Sequence, residues 1–522
     1  MTASDVDIEW RPSVNPWIIA GSVMLAVFME VLDTTVVSVA LPNMAGGLSS
    51  TNEEATWVLT SYLVANAIVL PASGWFALRF GRKRFLLFCT ALFSAGSFLC
   101  AVAPSMSFLV FARMLQGAGG GAMQPLSQSI LLESFPRKQH GMAMAAFGVG
   151  VVVAPIIGPL LGGWLTDNYS WRWMFYINIP IGLVSLYLMG RFVEDPPYIK
   201  ESRPGSIDAV GFAFLIIWLS TLQIILDKGQ QKDWFASTWI SWFSVISVSA
   251  MALLIVRELR TAEPIVDLRV FKNRNFWVGN ALMAVISAGM YSSIAMVPLF
   301  VQMLLGYTAL SAGIATAPRG MGAIVAMPIV GKLMSHVDGK WLIMLGAALI
   351  VISTLMFGNV TLDTAMINLV LPSILQGFGM ALVMVPLMAI AVGTLPKDKM
   401  GNASGIFNLT RNLAGSIGIS ISTTCLARLA QVHQANMVGH MSPYEPVFRE
   451  RLSAFQGALS SSVGAPQAQV QAYAVMNRIL LQQSTLKAFV DIFAWTALIT
   501  VVCIPGALLL KKVIAKEGIA LH

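Results

Sequence analysis

Fourteen apolar blocks, each 20 residues or longer, fall near residues 16–42, 55–77, 85–104, 107–132, 141–166, 172–193, 207–226, 236–256, 275–304, 310–334, 340–359, 366–395, 402–427 and 486–510. A helix of about 20 residues crosses the hydrocarbon core of a bilayer. Inside lipid, backbone amides must be satisfied within the chain, which leaves helices or closed barrels. A barrel strand alternates apolar and polar positions, and these blocks do not. The predicted class is therefore an all-α polytopic membrane protein with 14 transmembrane helices. Charged residues make up 11% of the chain against roughly 25% in soluble proteins, which places it outside the soluble range.

The first block is expected to stay attached as a helix. Ser38-Val39-Ala40 faintly resembles a cleavage site, but Asp5, Asp7 and Glu9 precede the block where a signal peptide carries lysines.

A formal charge of +8 invites a nucleic-acid reading, and the placement of the cations argues against it. Arg79, Arg82, Lys83 and Arg84 share one predicted side with Arg137 and Lys138, then Arg191, Lys200 and Arg203. Arg257, Arg260, Arg269, Lys272 and Arg274 follow, then Lys332, Lys340, Lys397, Lys399, Lys511, Lys512 and Lys516. Opposite short loops offer little beyond Lys228 and Lys232. By the bias of lysine and arginine towards the cytoplasm, both termini are expected there. Cys89, Cys100, Cys425 and Cys503 lie in apolar blocks without metal or redox spacing and are expected to pack. One loop on the other side is long: residues 428–485 are polar and rich in Gln, Ala and Ser, with the capacity for short helices outside the membrane. It is either a docking element or a solvated loop without a partner.

The chain also repeats itself. LQGAGGGAMQPL at 115–126 matches LQGFGMALVMVPL at 375–387, with Gln116-Gly117 and Gln376-Gly377 offset by 260. The same offset relates Pro136 to Pro396, Gly141 to Gly401 and Gly158 to Gly418, which points to duplication. Two six-helix bundles follow, with the seventh and eighth helices inserted between them: 1–203, 204–270 and 271–522. The shift is an even number of helices, so the halves share orientation, as in secondary transporters with a path between their repeats.

Within MEVLDTTVVSVALP at 29–42, Glu30 and Asp33 are three apart and share a helix face. Asp33 is nine residues before Pro42, roughly 13 Å from the outer end by helical rise. A charge at that depth costs about 2.5–3.5 kcal/mol on insertion scales, so such residues usually line a cavity and serve function. A carboxylate exposed to the two sides in turn would load and release a proton; the alternative is a fixed ion pair that joins helices. Arg113, Arg319 and Arg411 are the available intramembrane cations, and Arg113 is the preferred partner, while Arg319 and Arg411 are equally structural or functional candidates.

The fifth block reads GVGVVVAPIIGPLLGG, with Gly150, Ala154, Gly158 and Gly162 at every fourth residue beside Pro155, Pro159 and Gly163. Such a stripe permits close backbone approach, and the two prolines favour a bend, so a hinge or sealed gate is expected. The second loop, GWFALRFGRKR from Gly74 to Arg84, offers a tight turn at Gly81 and a run of cations for headgroups or acidic helix ends.

Taken together, LDTTVVSVALP, RMLQG, GPLLGG, WVLTSYLVANAIVLPASGW and WRWMFYINIPIG resemble the major facilitator superfamily. The closer resemblance is to its fourteen-helix drug:proton antiporter branch, EmrB-type multidrug exporters, over nearly the whole chain. This implies a role for Asp33 in proton coupling and for Arg113 in proton transfer, with GPLLGG associated with antiport. It further implies the inner (plasma) membrane of a bacterium, a periplasmic membrane-fusion adaptor (EmrA-type) and a TolC-type outer-membrane channel, with 428–485 as the adaptor contact. Two departures stand out: Leu78 occupies the position of an acid in the family's loop motif, and GKLMSHVDGK at 331–340 lacks most of the basic run.

The leading functional expectation is proton-driven export of hydrophobic or amphipathic drugs, with the proton as coupling ion and no other cofactor. The alternative is an exporter or proton symporter of a single natural metabolite. An enzyme or receptor would need a catalytic cluster, whereas His140, His336, His433, His440 and His522 are scattered. No GxxxxGK[ST] loop occurs, so ATP is not the expected energy source.

Overall fold

The computed structural model describes residues 12–136, 139–196, 208–261, 264–307 and 309–511. Arg137, Lys138, Lys200, Arg203, Lys512, Lys516, His522 and the boundary at 203/204 lie outside the described residues.

The first bundle begins with α1 (Pro16–Gly47), α2 (Trp57–Phe80) and α3 (Arg82–Ala101). The fourth apolar block is two helices, α4 (Met106–Gly120) and α5 (Met123–Ser134), separated at Gly121-Ala122. The glycines before that break press α4 onto α2: a Cβ on Gly121 would stand 2.5 Å from the carbonyl oxygen of Asn66. The bundle closes with α6 (His140–Asn168) and α7 (Asn178–Phe192).

Two helices follow, α8 (Ala209–Lys228) and α9 (Thr238–Arg260). Only 28% and 22% of their apolar stretches are buried, against 61% for α1, so they sit at the periphery with broad apolar faces. Arg257 of α9 holds Asp208, the residue that caps α8, at 3.0 Å.

The second bundle comprises α10 (Arg274–Met303), α11 (Ala309–Leu333), α12 (Gly339–Gly358), α13 (Ile367–Gly393), α14 (Lys397–Val438) and α16 (Ala465–Val501). Between the last two stands α15 (Pro446–Val463). With α4 and α5 as one span and α15 outside the count, these helices make the fourteen spans of two six-helix bundles and two insertions. Twelve helices among the described residues are long and apolar enough to cross a membrane; the break in α4–α5 shortens one of the other spans. The chain is a multi-pass membrane protein.

The segment 428–485 is mostly continuous helix rather than loop. At 1.5 Å per residue, the 42 residues of α14 extend about 63 Å and the 37 of α16 about 55 Å, well beyond a hydrocarbon core of about 30 Å. The protruding end of α16 and α15 form a small apolar cluster of Phe448, Leu452, Ala472 and Met476.

The halves meet through α2 against α14 and α6 against α11. A Cβ on Gly405 would stand 2.6 Å from the oxygen of Leu70, and one on Gly74 would stand 2.5 Å from the nitrogen of Asn402. On the other pair, a Cβ added to Gly141 or to Gly331 would stand 3.1 Å from the other's carbonyl oxygen. Both contacts lie towards the end that carries the Gly81 loop. Nearer the opposite end, Asp227 and Lys228 of α8 hold Thr60 of α2 and Thr56 just ahead of that helix, each at 2.5 Å. Ser420 of α14 donates to the oxygen of Leu226 at 2.9 Å, so α8 fastens both halves.

Candidate functional site

Asp33 lies inside the first bundle and is wholly buried with Arg113. Its helix α1 brings it against α4, where Arg113 Nη1 donates to Asp33 Oδ2 at 2.5 Å. The other oxygen, Oδ1, accepts from Gln116 Nε2 and from Asn178 Nδ2, both at 2.8 Å. Those two amides also converge on Ser97 Oγ of α3, at 3.1 and 2.9 Å. Arg113 Nε donates to the carbonyl oxygen of Val58 at 3.1 Å, and its guanidinium lies 4.3 Å from the ring centre of Tyr62. A buried carboxylate met by one guanidinium and two amides is held chiefly by charge-assisted hydrogen bonds, the strong kind.

Glu30, one turn earlier on the same face, has a different set of partners. Its Oε1 accepts from Tyr62 Oη at 3.2 Å and Asn66 Nδ2 at 3.3 Å, while Oε2 accepts from Gln124 Nε2 at 2.7 Å. Gln124 Oε1 in turn accepts from Arg411 Nη2 at 2.5 Å. Arg411 belongs to α14 of the second bundle, so the Glu30 chain crosses between the halves. A second crossing runs from Asn408 Nδ2 to Gln128 Oε1 at 2.6 Å. Tyr62 joins the two acids' surroundings, its ring against Arg113 and its hydroxyl on Glu30.

The duplication reappears as geometry. Gln376 Nε2 donates to Ser293 Oγ at 2.8 Å, the counterpart, 260 residues on, of Gln116 on Asp33. At the same offset, Glu30, Asp33 and Arg113 correspond to Met290, Ser293 and Ser373. The second half keeps the glutamine and lacks the charges.

The stripe on α6 faces α1 of its own bundle. Added Cβ atoms would meet Met24 at Gly150, Thr35 at Gly158 and, at 3.1 Å, the oxygen of Val36 at Gly162, whereas Gly163 has nothing within 4 Å. Ala154 is fully buried and Pro155 is exposed. The side chain of Pro159 lies outside the described residues, and α6 runs unbroken through both prolines. What the stripe positions is α1, and with it Glu30 and Asp33.

The Gly74–Arg84 stretch, expected as a loop, is helix on both sides of Gly81, which takes a φ of +89°, a left-handed turn that favours glycine. Buried Arg82 pairs with Glu133 at the end of α5. Lys83 N donates to Asp195 Oδ1 at 2.8 Å, so with Leu78 apolar the carboxylate at the start of α3 comes from beyond α7. Arg79 and Arg84 are exposed and, with Asp195, line a cavity of about 1020 Å³ among Phe76, Phe88 and Phe212. None of the residues lining that cavity belongs to the Asp33 network. Arg319, on α11, stands apart from Asp33 and Glu30.

Sequence reasoning singled out the charges and missed Tyr62, Asn66, Ser97, Gln116, Gln124 and Asn178 as their partners. Gln116 was visible in the repeat, and Asn178 in WRWMFYINIPIG.

Residues 23–419 match the family model described as Major Facilitator Superfamily. The chain is 37% identical over 471 residues to the multidrug export protein EmrB of Haemophilus influenzae, covering 89% of each chain. It is 38% identical over 435 residues to the multidrug export protein EmrB of Escherichia coli strain K12, covering 83% of this chain and 84% of that one. Among solved structures, the proton:xylose symporter XylE aligns with a TM-score of 0.59 at 14% identity, covering 92% of this chain and 94% of that one, a likeness of fold.

Proposed function

The chain belongs to the major facilitator superfamily, and on that premise we propose that it is a proton-coupled antiporter that exports hydrophobic and amphipathic drugs by alternating access. Relatives at 37–38% identity are multidrug export proteins, which supports the substrate class. The observation that carries the coupling reading is the Asp33–Arg113 pair, fully buried in the bundle and tied to α2, α3 and the Asn178 end of α7.

A proton on Asp33 removes the charge that holds Arg113 Nη1, and the guanidinium then retains Val58, Gln116 and the Tyr62 ring. Releasing that bond loosens α1 from α4. The change reaches the second bundle through Glu30, Gln124 and Arg411. A proton entering down 100 mV supplies about 2.3 kcal/mol, enough to sustain a drug gradient of roughly fifty-fold. Alternating access follows when two arrangements of the halves differ in their affinity for proton and drug.

In this reading the protein resides in a bacterial inner membrane with both termini cytoplasmic. It works with a membrane-fusion adaptor and an outer-membrane channel, and the projecting ends of α14 and α16 with α15 are the adaptor's contact.

The test is drug accumulation in inverted vesicles under an imposed pH gradient, comparing the wild type with Asp33→Asn. Accumulation that collapses with a protonophore and disappears in the variant is expected. Accumulation that needs ATP and ignores the protonophore refutes proton coupling. Full pH-driven transport by Asp33→Asn would leave the Asp33–Arg113 pair as a fixed tie between helices.

A further inference from the structure

The five ionisable groups placed in the middle of the described spans are two acids, Glu30 and Asp33, and three arginines, Arg113, Arg319 and Arg411. Arg113 has Asp33, and Arg411 reaches Glu30 through Gln124. Arg319 is the remaining cation. It lies ten residues into α11, about 15 Å from that helix's start by helical rise, hence at mid-membrane depth. Its Nε and Nη2 are buried without a hydrogen-bond partner. An arginine there must be paired or hydrated, because an unpaired charge in a low-dielectric interior is costly.

The repeat identifies what Arg319 replaces. A Cβ on Gly117 would meet the carbonyl oxygen of Tyr62, and a Cβ on Gly377 would meet that of Arg319. Arg319 thus takes the backbone position of Tyr62, the residue that in the first bundle bridges the Arg113 guanidinium and the Glu30 carboxylate. In the second bundle those charged positions have become Met290, Ser293 and Ser373. The oxygen Gln376 Oε1, in the same half, is also buried without a partner. One half therefore carries a complete set of charges, and the other carries a guanidinium with no acid to pair it among the described residues.

We propose that Arg319 is the anchor for the anionic group of a transported amphiphile, with a carboxylate on an apolar tail as the substrate class. A guanidinium presents a planar fork of donors that matches a carboxylate in two parallel hydrogen bonds. Arg319 as a residue is only partly buried, so an incoming anion can approach it. The inference rests on the export reading above and narrows it to one class of ligand.

The test uses the purified full chain in lipid nanodiscs at pH 8, titrated with a fluorescent medium-chain carboxylic acid and with the alcohol of identical chain and fluorophore. Wild type is expected to bind the acid at least ten-fold more tightly than the alcohol. Arg319→Gln is expected to erase that preference while leaving the alcohol's affinity within two-fold, and Arg319→Lys to retain part of it. Equal wild-type affinities for acid and alcohol would overturn the proposal and leave water as the guanidinium's only partner; this comparison needs no variant to fold. Equal weakening of both ligands in Arg319→Gln would also overturn it, assigning the residue to the scaffold. The export reading fails separately, if neither the acid nor a cationic dye crosses a proteoliposome membrane under a pH gradient while the binding preference persists.

Discussion

Gln124 accepts a hydrogen bond from Arg411 at 2.5 Å and donates one to Glu30 at 2.7 Å, so a single amide joins an acid of the first bundle to a cation of the second. Neither charge can separate from the other half without breaking one of these bonds. The amide suits this place because it offers a donor to the carboxylate and an acceptor to the guanidinium at once. Any motion that parts α5 from α14 must disrupt this contact and the nearby Gln128–Asn408 bond.

Gln124→Ala removes both bonds together. Hydrogen bonds to charged groups contribute about 1.5–3 kcal/mol each, so the arrangement in which the halves touch loses at least an order of magnitude in population. Spin labels near Gly141 on α6 and Gly331 on α11 report this as a shift from a short to a long distance. An unchanged distance distribution would mean that the glycine contacts alone hold the halves.

Removal of one member of the Asp33–Arg113 pair leaves a buried charge without its partner, at a cost of about 3–5 kcal/mol. Asp33→Asn and Arg113→Gln are each expected to lower thermal stability in detergent. The double variant is expected to recover most of that loss, because no net charge is then stranded. Transport by all three is expected to be absent. Recovery of stability without recovery of transport separates coupling from scaffolding at this pair.

How much of this was legible depends on the energy each residue costs in lipid. Asp33, Glu30, Arg113, Arg319 and Arg411 declare themselves because a charge in an apolar block is expensive. Ser97, Gln116, Gln124 and Asn178 cost far less and hide among other polar residues, although they make half the network. The α6 stripe announced close backbone contact, but spacing cannot say which neighbour approaches; the partner is α1 rather than the opposite half. The helical extensions of α14 and α16 were hidden for a different reason. Hydropathy marks where lipid ends, and a helix held by its partners continues past that point without an apolar signal. The fourth span's break at Gly121 was equally silent, since hydropathy runs through it.

Close packing at the Gly81 end of the halves depends on the absence of side chains at Gly74 and Gly405. Gly405→Leu drives a side chain into the carbonyl of Leu70, where backbone cannot yield cheaply. The expected outcome is a protein that inserts and binds drug, with pH-driven transport reduced at least ten-fold. Equal transport would show that this contact opens and closes without needing the glycine.

Asp208 ties the two inserted helices, and its Arg257 hydrogen bonds hold its carboxyl below the usual aspartate range, assisted by the backbone N–H of Gly211. A carboxylate with a lowered folded-state pKa contributes stability that is complete above its unfolded value, near 3.8, and is lost as pH falls through the folded value. The difference in melting temperature between wild type and Asp208→Asn is therefore expected to be flat from pH 7 to about pH 5, and to shrink as pH falls towards and below the ordinary aspartate value. Arg257 is largely solvent-facing, so added salt is expected to reduce the difference as well. A difference that instead grew on acidification would contradict the assignment of Asp208 as an ionised cap shared by α8 and α9.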